Sequence, residues 1–86
     1  MYYVYVLLSE KDGNKYVGYT KNLKLRLELH RKEQVKSTKD RGPFKLIYFE
    51  SCLNQQDATH REKYLKTYLG KMFLKNRLAK WISQGD

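Results

Sequence analysis

The segment Tyr2-Tyr3-Val4-Tyr5-Val6-Leu7-Leu8 constrains this chain more than any other. Each residue in it is aromatic, β-branched or leucine, a composition that favours a pleated strand. Asp12-Gly13 follows in a polar turn, and Lys15-Tyr16-Val17-Gly18-Tyr19 reads as a second short strand. The spacing predicts an antiparallel hairpin over residues 2–19. The apolar run is too short to cross a bilayer, and no basic segment precedes it, so it reads as neither a membrane span nor a signal peptide. The one cysteine, Cys52, cannot form an intramolecular disulfide, which suits a reducing compartment. A cytoplasmic protein without a membrane partner is the expectation.

The next segment carries two periodicities. Leu23, Leu25, Leu27 and Leu29 alternate with polar residues, as in a strand, yet residues 21–34 contain no β-branched side chain. Leu, Lys, Arg and Glu are good helix formers, Thr20 or Asn22 can cap, and Glu28 and Lys32 make a favourable i,i+4 pair. The prediction is a helix over about 22–34, with Asn22, Arg26 and His30 on one face. Val35 to Pro43 is a basic loop, and Lys45 to Cys52 a third strand. Asn54 is placed to cap a helix running to about Leu69, with Asp57 in its first turn and Gly70 as its C-terminal cap. Lys71 to Ile82 is a last helix with Leu74, Leu78 and Trp81 on its buried side. The expected architecture is one domain over residues 1–86, of α/β class in the α+β sense: a three-stranded, mainly antiparallel sheet flanked by helices.

A chain of 86 residues has a thin core and little room for a deep pocket, so an elaborate small-molecule enzyme is disfavoured. The net charge of +9 is unevenly spread: residues 21–45 and residues 60–82 each carry +6, while residues 1–20 are neutral. Two basic blocks with aromatics interleaved point to a polyanion, nucleic acid before an anionic membrane surface.

Against this basic background one acid stands out. On the helix after Asn54, Ala58, Glu62, Leu65 and Leu69 fall within about 60° of one another at the helical step. Glu62 thus projects from an apolar face, and it is the only acid between residues 60 and 82. Carboxylates are seldom buried without a partner. Two readings are open: an ion pair with a nearby Lys or Arg or an edge position reached by solvent, or a carboxylate aimed across the sheet at a metal ion.

Taken in chain order, Tyr5, Tyr16 with Gly18, Arg26, His30 and Glu62 form a set that resembles the GIY-YIG nuclease family. The resemblance covers residues 2–68. Tyr3-Val4-Tyr5 stands where the family has Gly-Ile-Tyr, and Tyr16-Val17-Gly18 where it has Tyr-Ile-Gly. Asn22-Leu23, Arg26 and His30 match its helix motif, and Arg61-Glu62-Lys63-Tyr64 its metal-binding glutamate. Tyr3 for glycine and Val4 and Val17 for isoleucine are the departures; Asn76 is only a loose match to a late asparagine. In size the chain is similar to the small members that consist of the nuclease domain alone.

The resemblance implies an endonuclease that hydrolyses phosphodiester bonds in DNA, with RNA left open, and extends to structure-selective cutting in repair or recombination. It implies one divalent ion, Mg²⁺ or Mn²⁺, held by Glu62, and a catalytic set of Tyr5, Tyr16, Arg26, His30 and Glu62. Arg26 can grip a phosphate through two bonds, and Glu62 alone, with waters and phosphate, suits Mg²⁺. Tyr5 is assigned as the base and Tyr16 as a phosphate or water ligand; a free phenol is a poor base at neutral pH unless a cation lowers its pKa. Lys39, Arg41 and Lys63 join Arg26 as expected nucleic-acid contacts. Each residue also has a plainer reading: Tyr5 and Tyr16 as cross-strand packing, Gly18 as a bulge or close helix approach, Asn22 as a helix cap and His60 as surface. A non-catalytic nucleic-acid-binding module of the same fold is the alternative function, and a basic protein docking an acidic partner the third.

Overall fold

The computed structural model describes residues 1–84, so the last two residues of the expected 1–86 domain lie outside the described residues. Three strands form one antiparallel sheet in the order β2-β1-β3: β1 is Tyr2–Ser9, β2 Lys15–Thr20 and β3 Phe44–Cys52. The aromatic and β-branched run therefore takes the central position, where both its edges are paired. Tyr5 lies opposite Gly18 on one side and Phe49 on the other, and Leu7 lies opposite Tyr16. Successive side chains alternate between faces. Val4 and Val6 join Ala58, Leu65 and Leu74 in the main core, while Tyr5 and Leu7 are buried on the opposite face.

Helix α1 is Leu23–Arg31. Its first turn is closed by Asn22, whose Oδ1 accepts from the Leu25 amide at 3.0 Å. Helix propensity and this cap outweigh the strand-like alternation, and Leu25, which a strand would have buried, is 55% exposed. The helix stops short of the expected residue 34 because Lys32 caps it and Glu33 turns into the left-handed region at φ 59°. The loop that follows is fastened to β1: the Ser9 hydroxyl donates to the Arg41 carbonyl at 2.7 Å, and the Glu10 amide to the Pro43 carbonyl at 2.9 Å.

The single helix expected from Asn54 to Leu69 is two helices. Helix α2 is Gln55–Leu65, capped by the Asn54 side chain on the Gln56 and Asp57 amides, and helix α3 is Tyr68–Arg77. Thr67 starts the second helix, its hydroxyl accepting from the Gly70 amide at 3.2 Å. Gly70 is therefore not a C-terminal cap. It sits in the first turn of α3, pressed against the Tyr64 carbonyl and the Leu65 backbone, where any side chain would collide. The break turns Leu69 outward to 65% exposure, so it does not share the buried face of Ala58 and Leu65. The last predicted helix is likewise divided at Leu78, with helix α4 covering Ala79–Gln84. Leu74 is buried as expected and Leu78 half-buried, but Trp81 is exposed and lies beneath the Lys45 ammonium. Among the described residues no helix is long and apolar enough to cross a membrane.

Arg61 anchors α2 on the sheet. Its guanidinium donates twice to the Glu50 carboxylate, both bonds at 2.9 Å, and lies 4.6 Å from the Phe73 ring centre. Bidentate pairing fixes orientation as well as distance, so the neighbouring Glu62 is carried on a helix whose rotation is set. The same guanidinium holds the Glu50 carboxyl below the usual carboxylate range.

Candidate active site

Tyr5, Tyr16, Arg26, His30 and Glu62 line one cleft of about 490 Å³. They converge although 57 positions separate the first from the last, because the cleft lies along β2, one of the two edge strands of the sheet. Helix α1 brings Arg26 and His30 to one side of that edge, and α2 brings Glu62 to the other.

Gly18 determines how Tyr5 reaches the cleft. A Cβ at this position would meet the Tyr5 Oη at 2.5 Å and its Cζ at 2.6 Å. The phenol thus lies directly over the glycine, in space that any other residue would fill. Its hydroxyl meets His30 Nε2 at 2.9 Å, and His30 Nδ1 meets the Thr38 hydroxyl at 2.7 Å. All three side chains are buried. The Thr38 hydroxyl donates to the Val35 carbonyl, so it accepts from Nδ1–H, and Nε2 is left as the acceptor for the Tyr5 hydroxyl. The chain of bonds therefore runs from Tyr5 through neutral His30 to Thr38.

The titration tendencies agree with this assignment. Burial pushes the Tyr5 phenol above its ordinary value of 10.0; the Arg26 charge pulls it back down and the Glu62 charge adds to the rise. Burial, then the positive charge of Arg26, holds His30 below 6.5. In the unliganded protein the pair is phenol and neutral imidazole. A consequence for stability follows by linkage. The unfolded chain takes up a proton on histidine as pH falls through about 6.5, before the folded one does. Stability should therefore decline on acidification below that value and level off once pH passes the folded pKa. Urea denaturation from about pH 8 down to about pH 5 should show the decline, and His30→Gln should remove its histidine component.

Among the described residues the buried Arg26 Nε has no hydrogen-bond partner. The guanidinium itself lines the cleft, and its planar fork matches a phosphate. Glu62 is ion-paired with Lys66, Oε2 to Nζ 3.2 Å, so the ion-pair reading of this acid is realised. Its side chain keeps 19% exposure, whereas that of Lys66 is 55% exposed and can swing aside. Tyr16 is supported from the loop: Arg41 Nη1 donates to its hydroxyl at 3.1 Å and pairs with Asp12 at 3.8 Å. Arg41, expected on nucleic acid, is thus occupied in orienting Tyr16. Lys39, Lys63 and Asn76 are exposed and do not line the cleft, and His60 is on the surface.

Sequence reasoning missed several participants. Thr38 lies in a polar loop without periodicity, and nothing local marks it as the residue that fixes an imidazole. Phe44 packs edge-on against both Tyr16 and His30, with ring centres 5.3 and 6.1 Å apart. Lys66 and Lys71 both line the cleft. The i,i+4 spacing of Glu62 and Lys66 was the one available signal among these.

A model of the GIY-YIG catalytic domain matches residues 1–78. A UPF0213 protein of Clostridium perfringens is 45% identical over 67 residues, covering 77% of this chain and 71% of that protein. One from Staphylococcus saprophyticus is 35% identical over 85 residues, covering 98% and 96%. The solution NMR structure of a UPF0213 protein from Bacillus halodurans superposes with a TM-score of 0.54 at 32% identity, covering 88% of this chain and 84% of that one. With the sheet, the helices and the order of its site residues, the chain belongs to the GIY-YIG catalytic-domain family, alongside the UPF0213 proteins it resembles.

Proposed function

We propose that this protein is a divalent-metal-dependent endonuclease that hydrolyses phosphodiester bonds of DNA in the cleft along β2. The observation that carries the reading is the convergence of the Arg26 guanidinium, the Tyr5–His30 pair and Glu62 on one cleft. A phosphate bound by that guanidinium would stand among groups able to move a proton.

The donor set fits a hard cation. Among the described residues no three His, Cys, Asp or Glu side chains come together, so a site for a softer, fully protein-ligated metal is missing there. One carboxylate next to substrate phosphate suits Mg²⁺ or Mn²⁺, which retain most of their waters. Glu62 would hold the ion once the exposed Lys66 moves off it. When bound, the ion supplies positive charge to offset the charge that develops on the phosphate.

The protein's own groups do the rest. Arg26 binds and orients the phosphate. The Tyr5 hydroxyl passes its proton to His30 Nε2, and the resulting phenolate accepts the proton of the attacking water. Thr38 keeps Nδ1 engaged, so that Nε2 stays the receiving atom. Because burial opposes both the phenolate and the imidazolium, this transfer is unfavourable at rest; positive charge beside Tyr5 favours the phenolate, as that of Arg26 already does, while the same charge opposes the imidazolium. Arg41 orients Tyr16 toward the same region.

The test is cleavage of single-stranded, duplex and branched DNA with Mg²⁺ and with chelator. Cleavage that chelation stops supports the proposal; intact DNA throughout refutes it. Arg26→Lys keeps the charge but loses the planar fork, and should slow single-turnover cleavage about tenfold. The Lys66 ion pair favours a second reading, a binding module in which Glu62 is structural. That reading predicts salt-dependent DNA binding without metal-dependent cleavage.

A further inference from the structure

Helix α3 uses one face to pack: Gly70 and Leu74 are buried against the rest of the molecule. On the side turned away from them, Tyr68, Lys71, Met72 and Lys75 follow the spacing i, i+3, i+4, i+7, and at the helical step they span about 100° of arc. They form one continuous stripe. Tyr68 is 73% exposed and Met72 37%, and both lysines are exposed. The stripe is about 10 Å long, and it meets the cleft at Lys71, which lines the same cleft as Glu62. Among the described residues Tyr68 makes no aromatic pair, and no acid interrupts α3.

We propose that this stripe is a track for an unpaired nucleic-acid strand leaving the cleft, with Tyr68 stacking on a base and Lys71 and Lys75 on the flanking phosphates. An exposed aromatic face matches a base whose own face is free, which a duplex does not offer except at its ends. The two lysines match a phosphate chain, and the block of residues 60–82 supplies a positive surround. Substrates with single-stranded character beside the cut, such as flaps or open strands, are thereby preferred over continuous duplex. The proposal rests on the nuclease reading only for which strand occupies the cleft; the track itself is a binding property.

The experiment is fluorescence anisotropy of the full-length protein with a labelled oligothymidine and with a capped hairpin duplex, in chelator so that neither is cut. Tyr68→Ala should weaken oligothymidine binding about 5- to 100-fold and duplex binding less than about twofold, while Tyr68→Phe should keep wild-type affinity. The Lys71→Ala, Lys75→Ala double variant should lower the salt slope for the single strand by about 1.4. Failure of the wild type to bind oligothymidine, an unchanged affinity for Tyr68→Ala, or an equal loss on duplex would overturn the track. Absence of cleavage when Mg²⁺ is supplied, with the stacking effect present in chelator, would instead refute the nuclease reading and leave the track standing.

Discussion

Gly18→Ala should slow DNA cleavage by about 100-fold or more while leaving a folded protein. The added Cβ would stand 2.5 Å from the Tyr5 Oη and 2.6 Å from Cζ, well inside contact distance. The backbone at Gly18 is fixed by its place opposite Tyr5 in the ladder, so the ring must give way. Tyr5 is only 4% exposed, and its hydroxyl is held 2.9 Å from His30 Nε2. Displacing the ring breaks that bond and takes the phenol away from His30, the proposed acceptor of its proton. Overpacking of this kind costs about 1–3 kcal/mol of stability, which urea denaturation will report separately from rate. A variant that is folded and cleaves at the wild-type rate would mean that the position of the Tyr5 phenol is not used.

Glu62→Gln should have the larger effect, about 1,000-fold or more in single-turnover cleavage, because it removes the one acidic side chain that lines the cleft among the described residues. The amide is nearly isosteric, so packing against α2 is retained. It also removes a negative charge from a site meant for phosphate, so DNA affinity in chelator should stay level or rise. The two readouts move in opposite directions only if the carboxylate serves chemistry. If Glu62 served merely to pair with Lys66, the loss would be that of an exposed i,i+4 ion pair, about 0.3–0.5 kcal/mol of stability, with no selective effect on cleavage.

The parts of this molecule that were legible from sequence are those with local physical causes. The hairpin followed from β-branched and aromatic residues around Asp12-Gly13, and α1 from helix formers with a cap at Asn22. The face of Glu62 followed from helical spacing to Ala58 and Leu65. Where the outcome depended on tertiary packing, local reading went astray. Thr67 lies within a run of helix formers, and only the docking of Gly70 on the Leu65 backbone shows why the helix must break there. Trp81 was placed inside by its hydrophobicity, but the helix breaks at Leu78 and the six-residue α4 leaves it exposed beneath Lys45. Thr38 carries no pattern at all; its role exists only because the loop bonds of Ser9 and Glu10 bring it beside His30. The contacts of Arg41 with Tyr16 and Asp12 were not legible either, because those partners are 25 and 29 residues away.

The claim that the β2 cleft is a metal-dependent phosphodiesterase site is tested most directly by one comparison. Wild type and Glu62→Gln are run side by side on a labelled flap substrate with Mg²⁺, under single-turnover conditions, with DNA binding measured in chelator on the same preparations. The expected result is cleavage by wild type that chelation abolishes, with Glu62→Gln binding the substrate at least as well and leaving it uncut. Cleavage by Glu62→Gln at the wild-type rate, or no cleavage by wild type on DNA it demonstrably binds, would contradict the account.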